Sequence, residues 1–537
     1  MMFTTLIRKY ANVGRYTLLI LLLMVISLPL YSAEHSVEPL NPHGTVIDYY
    51  RYRLYQLTEE EAIAQGRPMY YAELYQDSWE VSDETYYERY NWWENEHYAL
   101  LYVSRDSVLT LASSVTYKGI KYTVIGITCR VESSDGFFRC VPIFNRVVLP
   151  DSLEYIEGVA FQQCNNLKYV DLPPTLKTIG ENVFQGCNLS SVCLGENVRT
   201  IGKYAFSFNK SLKTLHIPSS VISIGSADIY GDEVGAAFSR CTSLEEITVD
   251  PQNPYYDSRE DCNAIIETSS NKLILGCGNT FIPETVTSLG SYAFYGSQIL
   301  NVTIPQGVIA VGAGCFSISS INSISIPSSV TFIGKRSFDY CEGLNSIVVD
   351  VDNSIYDSRN NCNSLIETSS NTLIAGSNNS QIPDGVKSLA VQAFSGRQIS
   401  SITLPNSIIY LGSHAFYSCD KLETIRSKIT DLSKVEIENA CFSALPTSCV
   451  LKVPKGTIDA YRNTIPWSRF TIIEEWVDEV VGDVNADGAA DGIDLNMIIN
   501  IVLGKDDSNY DGRADMDGNG SVDGDDINQM INILLGK

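Results

Sequence analysis

A short phrase returns through this chain at a nearly fixed interval. Ile/Leu-Pro occurs at 149–150, 172–173, 217–218, 282–283, 304–305, 326–327, 382–383 and 404–405, with Leu194-Gly195 in the slot between the second and third. Neighbouring copies lie 22 or 23 residues apart wherever nothing is inserted. Within each period an Ile/Leu-Gly pair follows (Ile179-Gly180, Ile201-Gly202, Ile333-Gly334, Leu411-Gly412), then an Ala-Phe pair (Ala205-Phe206, Ala293-Phe294, Ala393-Phe394, Ala415-Phe416). One unit, "TLPNSIIYLGSHAFYSCDKLETI" at 403–425, reads as strand, turn, short second strand, Ala-Phe corner, then Cys and Leu leading into the next strand. A segment this short cannot bury its own Ile, Leu and Phe, so each coil must lie on its neighbours. Pro ends the strand because it lacks an N–H. Gly after Ile is read as a turn conformation closed to residues with a Cβ. The repeat therefore dictates a mainly β, leucine-rich-repeat solenoid.

The unit "IPSSVTFIGKRSFDYCEGLNSI" (326–347) resembles the BspA-like leucine-rich repeats of bacterial surface proteins, and the likeness runs over residues 123–475. That resemblance implies a right-handed solenoid of strands and loops that recognises or adheres to host or matrix proteins without catalysis. "VPKGTIDAYRNTIPWSRF" (453–470) is similar to the family's closing cap, in which Tyr461, Trp467 and Phe470 would cover the last open coil. Residues 34–122, rich in Tyr and Trp, read as an N-terminal β cap, since a solenoid needs its open end covered. A minority reading has Trp79, Trp92 and Trp93 stacking on sugar rings.

Two insertions interrupt the array, "NPYYDSREDCNAIIETSSNKLILGC" (253–277) and "NSIYDSRNNCNSLIETSSNTLIAGS" (353–377), 100 residues apart. Each reads as a hairpin standing off the solenoid around a Ser-Ser-Asn turn. Its Tyr-Asp-Ser-Arg motif is either a contact surface or a loop lock in which Arg pairs with a local carboxylate. Cys164, Cys187, Cys241, Cys341 and Cys419 share one slot of the coil, read as a small buried apolar position that free Cys fills. Cys262 and Cys277 could pair across the first hairpin, but Ser377 stands opposite Cys277 in the second copy, so few of the fourteen cysteines are expected in bridges.

At the N-terminus, Arg8, Lys9 and Arg15 precede an apolar run from Thr17 to Leu30, the length of a signal-peptide core and short for a bilayer span. Cleavage after Ala33 (residues 1–33 removed) leaves no stable membrane span and places the mature chain outside the cell or on its surface. A net charge of −25 over 537 residues argues against nucleic acid or an anionic membrane surface as a partner. About half of that charge is local: after a linker at 476–481 the chain ends in an acidic tail, with 16 acidic and 3 basic residues from Glu474 to Lys537.

The tail, 482–537, holds two copies of a twelve-residue loop, "DVNADGAADGID" (483–494) and "DMDGNGSVDGDD" (515–526). Positions 1, 3 and 5 are Asp483, Asn485, Asp487 and Asp515, Asp517, Asn519, oxygen donors suited to a hard cation. Gly488 and Gly520 make the sharp turn, and Ala489 and Ser521 offer a backbone carbonyl at position 7. Asp491 or Asp523 at position 9 acts through water, and Asp494 or Asp526 stands at position 12, where the usual loop has Glu. Each loop runs into an apolar helix with none before it: two half EF-hands for two Ca²⁺ ions. Met497, Ile498, Ile501, Met530, Ile531 and Leu534 are expected to pack between the helices. This duplication resembles type I dockerin domains, which implies docking to a cohesin module. Loop positions 10 and 11, partner-contacting in that family, are here Gly492-Ile493 and Gly524-Asp525 rather than a matched hydroxyl pair, a departure that bears on cohesin binding.

No catalytic constellation accompanies these modules. The five histidines (35, 43, 97, 216, 414) share no spacing, and there is no H-E-x-x-H, G-x-S-x-G or phosphate loop. The leading reading is a secreted or cell-surface recognition protein whose solenoid binds a protein or glycan and whose dockerin tethers it. The alternative is a non-catalytic component of a polysaccharide-degrading assembly, and a remote third is a glycoside-active enzyme.

Overall fold

The computed structural model describes residues 45–47, 50–76, 107–129, 138–225, 236–476, 481–485, 490–505 and 512–536. The expected leader (1–33) and Trp79, Trp92 and Trp93 lie outside them. The chain divides into two compact units, Met1–Gly225 with Val249–Tyr255, and Ser226–Thr248 with Tyr256–Lys537.

In the first unit, antiparallel strands Tyr50–Gln56 and Tyr70–Gln76 lead into Ile120–Cys129, which pairs parallel with the second of them. Ile120–Cys129 then carries the short parallel strands Tyr155–Ile156, Thr178–Ile179, Thr200–Ile201 and Ser223–Ile224, one per coil. Cap and coils thus share one sheet, and a strand runs through the expected boundary at 122–123. Between the first two strands stands a helix that the reading of this region as β did not include, α1 (Glu59–Gln65). Its cause is legible in hindsight: Thr58 and Glu61 form a capping box, and Gly66 closes the helix at φ 61°. The joint between cap and first coil is polar. Glu73, fully buried, accepts hydrogen bonds from Tyr55 at 2.7 Å and from Tyr155. Burial, and then the Glu73 carboxylate, push both phenols well above the ordinary tyrosine range. Gly126 makes room for Tyr155, whose ring a Cβ there would meet at 2.3 Å.

The second unit repeats the coil and holds the paired strands of both inserted hairpins. Its longer strands stack in parallel ladders, Asn301–Thr303 on Ser323–Ile326 on Ser346–Val349, and Ser401–Leu404 on Thr424–Ser427 on Val450–Pro454 on Ile472–Trp476. The corner phenylalanines form continuous stacks: Phe294, Phe316 and Phe338 lie 5.1 and 5.8 Å apart with planes within 9°. Phe394, Phe416 and Phe442 follow the same rule at 5.4 and 5.9 Å. This last stack ends on the cap, where Trp467 meets Phe442 at 4.7 Å and Tyr461 at 5.1 Å. Tyr461, on the short helix α2 (Ile458–Arg462), and Trp467 are fully buried, and Phe470 packs against them.

Three expectations about the coil are corrected. The glycines after Ile/Leu are not left-handed turn residues: Gly202, Gly225, Gly312, Gly334 and Gly412 have no positive φ. They mark where coil backbones touch. A Cβ on Gly312 would lie 2.3 Å from Ser291 N, and one on Gly412 2.6 Å from Val391 N. The left-handed positions are instead at the Ala-Phe corners and carry large side chains, as at Tyr292 (φ 61°), Arg336 (61°) and His414 (57°).

The cysteine slot is not simply apolar. Cys164, Cys187, Cys341 and Cys419 each donate Sγ–H to the carbonyl of the preceding coil's phenylalanine, at 2.7, 3.1, 2.9 and 3.1 Å. A buried carbonyl needs a donor, and that requirement admits Asn209 and even Arg397 to the same slot. Arg397, 1% exposed, spends its N–H groups on the carbonyls of Gly376, Cys341, Ser395 and Phe338. Thirteen of the fourteen cysteines, from Cys140 to Cys449, are free thiols, eleven of them buried.

The inserted hairpins do not stand off. Ala264–Glu267 and Lys272–Gly276 pair with each other, and the latter pairs parallel with Ser288–Leu289 of the next coil. Ala264, Ile265, Ile266 and Leu273 are fully buried, so these apolar residues draw the hairpin into the solenoid wall. The second copy, Ser364–Glu367 and Thr372–Gly376, does the same against Ser388–Leu389.

Candidate functional site

The duplicated acidic tail carries the densest chemistry. Helices α3 (Gly492–Val502) and α4 (Gly524–Leu534) each begin on a capping box, with Asp491 or Asp523 as N-cap and Asp494 or Asp526 three residues on. Asp stands at loop position 12 and at the third helical position at once, which ties the loop to the helix start. Asp494 Oδ1 accepts from the N–H of Val484 (2.8 Å) and Asn485 (3.0 Å), and Oδ2 from that of Asp491 (2.9 Å). Asp526 repeats the pattern with Met516 (2.7 Å), Asp517 (3.3 Å) and Asp523 (2.7 Å). Both carboxylates are fully buried, although the helix lies at the surface.

In the second loop, Asp515, Asp517 and Asp526 each present a carboxylate oxygen, and the three oxygens lie within 4.8 Å of one another. Asp515 also accepts from the N–H of Asn519 (3.1 Å) and Gly520 (2.8 Å), the latter at φ 89° where the turn demands glycine. Asn519 Oδ1 accepts from the Ser521 N–H at 2.8 Å, and its Nδ2 donates to Asp517. Asp523 is the exposed N-cap and stands outside the trio. Three like charges this close repel strongly unless a cation lies between them, and an all-oxygen donor set is what a hard dication takes. The residues present therefore fit calcium. In the first loop Asp483 is buried and Asn485, Asp491 and Asp494 follow as described, whereas Asp487 and Ala489 lie outside the described residues.

The helices pack through Ile498 and Met530, fully buried with Val484 and Ala514, and Leu495, Met497, Ile501 and Ile527 border them. Ile531 and Leu534 do not join: they are 38% and 39% exposed. The buried stripe of α4 runs from Asp526 and Ile527 to Met530; Ile531 lies at its edge, and Leu534, in phase with Met530, is the last residue of the helix.

Elsewhere the motifs resolve into structure. The Tyr-Asp-Ser-Arg segments are locks: Arg259 holds Asp257 through Nε (2.7 Å) and Nη2 (2.6 Å) and reaches Asn271 at 2.8 Å. Arg359 does the same to Asp357 and Asn371. Among the described residues, the second loop supplies the one cluster of three His, Cys, Asp or Glu side chains placed to hold a metal, and no helix is long and apolar enough to cross a membrane.

Comparison with known proteins agrees with these observations. The model of the BspA type leucine rich repeat region matches in six copies over residues 133–249, 274–369 and 374–465. The type I dockerin domain, a calcium-binding module, matches over residues 481–535. Among solved structures, a leucine-rich repeat protein from Eubacterium ventriosum is 22% identical, over 63% of this chain and 82% of that one, with a TM-score of 0.44. One from Bacteroides ovatus is 20% identical over 80% and 99%, with a TM-score of 0.38. The pneumococcal vaccine antigen PcpA is 16% identical over 81% and 99%, with a TM-score of 0.44. No curated protein matches the chain. With its stacked 22- and 23-residue coils and its duplicated acidic loops, the chain belongs to the BspA-type leucine-rich-repeat proteins and carries a C-terminal type I dockerin domain.

Proposed function

We propose that this is an exported, non-catalytic recognition protein, whose solenoid binds a protein or glycan and whose tail docks it to a cohesin-type module. In this reading two calcium ions build the tail. One is held by Asp483, Asn485, Asp487, the Ala489 carbonyl, Asp491 and Asp494, the other by Asp515, Asp517, Asn519, the Ser521 carbonyl, Asp523 and Asp526. The observation that carries it is the recurrence of one hydrogen-bonding pattern about Asp494 and Asp526, each closing a loop onto its own helix. Two copies of so specific an arrangement favour two equivalent ion sites over a merely solvated acidic tail. Tethering by such a domain gives the solenoid a place rather than a reaction, and a scaffold within a polysaccharide-degrading assembly is one setting for it.

The test is capture of the mature chain on an immobilised cohesin module in calcium, repeated in chelator. Retention that calcium switches on, and that Asp494→Ala with Asp526→Ala removes, supports the reading. Equal retention in chelator, or none in calcium, opposes it.

A further inference from the structure

The two inserted segments are internal copies offset by 100 residues, so each is a control for the other. Just past their ends, at 278 and 378, the copies differ in a way that changes the surface. In the second copy the side chain of Asn378 lies between three successive coils. Its Nδ2 donates to the Glu342 carbonyl (2.8 Å) and to Asn345 Oδ1 (3.1 Å), and its Oδ1 accepts from the Gln398 N–H at 2.8 Å. In the first copy the matching residue is Gly278, with Thr242, Glu245 and Gln298 at the positions of those three partners. Without a side chain to plug it, a groove of about 610 Å³ opens at Gly278.

The lining of that groove is selective. It is lined by Thr242, Ser243, Glu245, Gln298 and Asn301, with Leu300, 59% exposed, and by Asn279, whose Nδ2 donates to the Glu245 carbonyl at 3.3 Å. No Lys, Arg, His or aromatic residue takes part. An anionic ligand would meet Glu245 with no cation to balance it. An extended peptide recognised by strand addition needs apolar pockets for alternate side chains, and Leu300 is the single exposed apolar group here. Carboxamides and hydroxyls both donate and accept, as sugar hydroxyls do, and a carboxylate accepts from them. The exposed leucine gives the C–H face of a ring something to lie on.

We propose that the Gly278 groove is a binding site for a neutral saccharide, and that the second copy has lost this site to the Asn378 plug. The proposal rests on the recognition role given above to the solenoid. Gly278 admits a side chain without strain: it has no positive φ, and a Cβ on it would meet Gln298 at an ordinary 3.6 Å. Gly278→Asn therefore copies the second insertion's plug into the first without disturbing the fold.

The experiment is calorimetric titration of the full chain, in calcium, with three neutral hexasaccharides: the β-1,4-linked oligomers of glucose, xylose and mannose. At least one is expected to bind, Gly278→Asn to abolish the binding at an unchanged melting temperature, and Asn301→Ala, on an exposed strand residue, to weaken it. Binding undiminished in Gly278→Asn, tighter binding of an oligogalacturonate, or no binding by any of the three overturns the proposal. Should Gly278→Asn misfold, Asn301→Ala decides alone, and undiminished binding by it overturns the proposal. Failure here leaves the recognition role standing if the solenoid captures a protein partner; loss of both would sink the role as well.

Discussion

Replacing Phe316 by Ala removes the middle ring of a three-ring stack. The ring is fully buried and lies 5.1 Å from Phe294 and 5.8 Å from Phe338, nearly parallel to both. Deleting such a side chain costs about 3–5 kcal/mol, and the cost is highest where the walls cannot collapse. Here they cannot, because Phe294 and Phe338 are each anchored in their own coil, and the touching glycines Gly312 and Gly334 already hold the backbones at closest approach. The loss should therefore fall in the upper half of that range. Urea unfolding followed by fluorescence gives the magnitude, and hydrogen exchange gives the reach. Because stacked coils interact chiefly with their nearest neighbours, protection should fall in strands Ala310–Val311 and Ser323–Ile326 and persist in Tyr410–Leu411 and Thr424–Ser427. Ile309→Ala, at a side chain 55% exposed, is the control and should change stability by no more than about 0.5 kcal/mol. A loss at Phe316 below about 1 kcal/mol, or protection lost evenly along the solenoid, would refute the stacking argument.

Other outcomes follow from particular contacts. Gly312→Ala forces a methyl group onto the Ser291 backbone and should cost about 1–3 kcal/mol in the same urea assay. Burial pushes the Asp339 carboxyl up to about 7, against the pull of Arg336 and Arg397. A folded pKa raised above the unfolded value of about 3.9 gives a contribution that is full below that value and is lost as pH rises toward 7. Asp339→Asn should accordingly flatten the stability-versus-pH curve between about pH 4 and pH 7, and an unchanged curve would count against the burial argument. A chain ending at Glu475 retains Tyr461, Trp467 and both phenylalanine stacks of the second unit, and should melt cooperatively without the tail; recovery as aggregate alone would contradict this.

What the sequence disclosed was the part governed by periodicity. Ile-Pro, Ala-Phe and the loop spacing are each set by a local rule repeated many times, so strands, phenylalanine stack, cap and acidic loops could be placed. What it hid depended on contacts between coils. Gly312 reads as a turn residue until the 2.3 Å approach to Ser291 is seen. No local pattern announces that Arg397 is buried among four carbonyls. The hairpin Ala264–Gly276 looks detached because its pairing with Ser288–Leu289 lies beyond its own boundaries. Hydrophobicity alone places Ile531 and Leu534 in the tail's core, whereas Ile531 lies at the edge of the buried face and Leu534 at the very end of its helix, and both stay more than a third exposed.

We propose that the tail's carboxylates are spaced so that calcium organises them into a fold. Without the ion, 56 residues containing two eleven-residue helices bury too little to offset an ordering cost of about 1–2 kcal/mol per residue. With it, repulsion becomes coordination, and binding is part of folding. Far-UV circular dichroism of residues 482–537 titrated with calcium measures this directly. Little helix is expected in chelator, full helicity in millimolar calcium, and no transition in Asp483→Ala with Asp515→Ala. Equal helicity with and without calcium would contradict it.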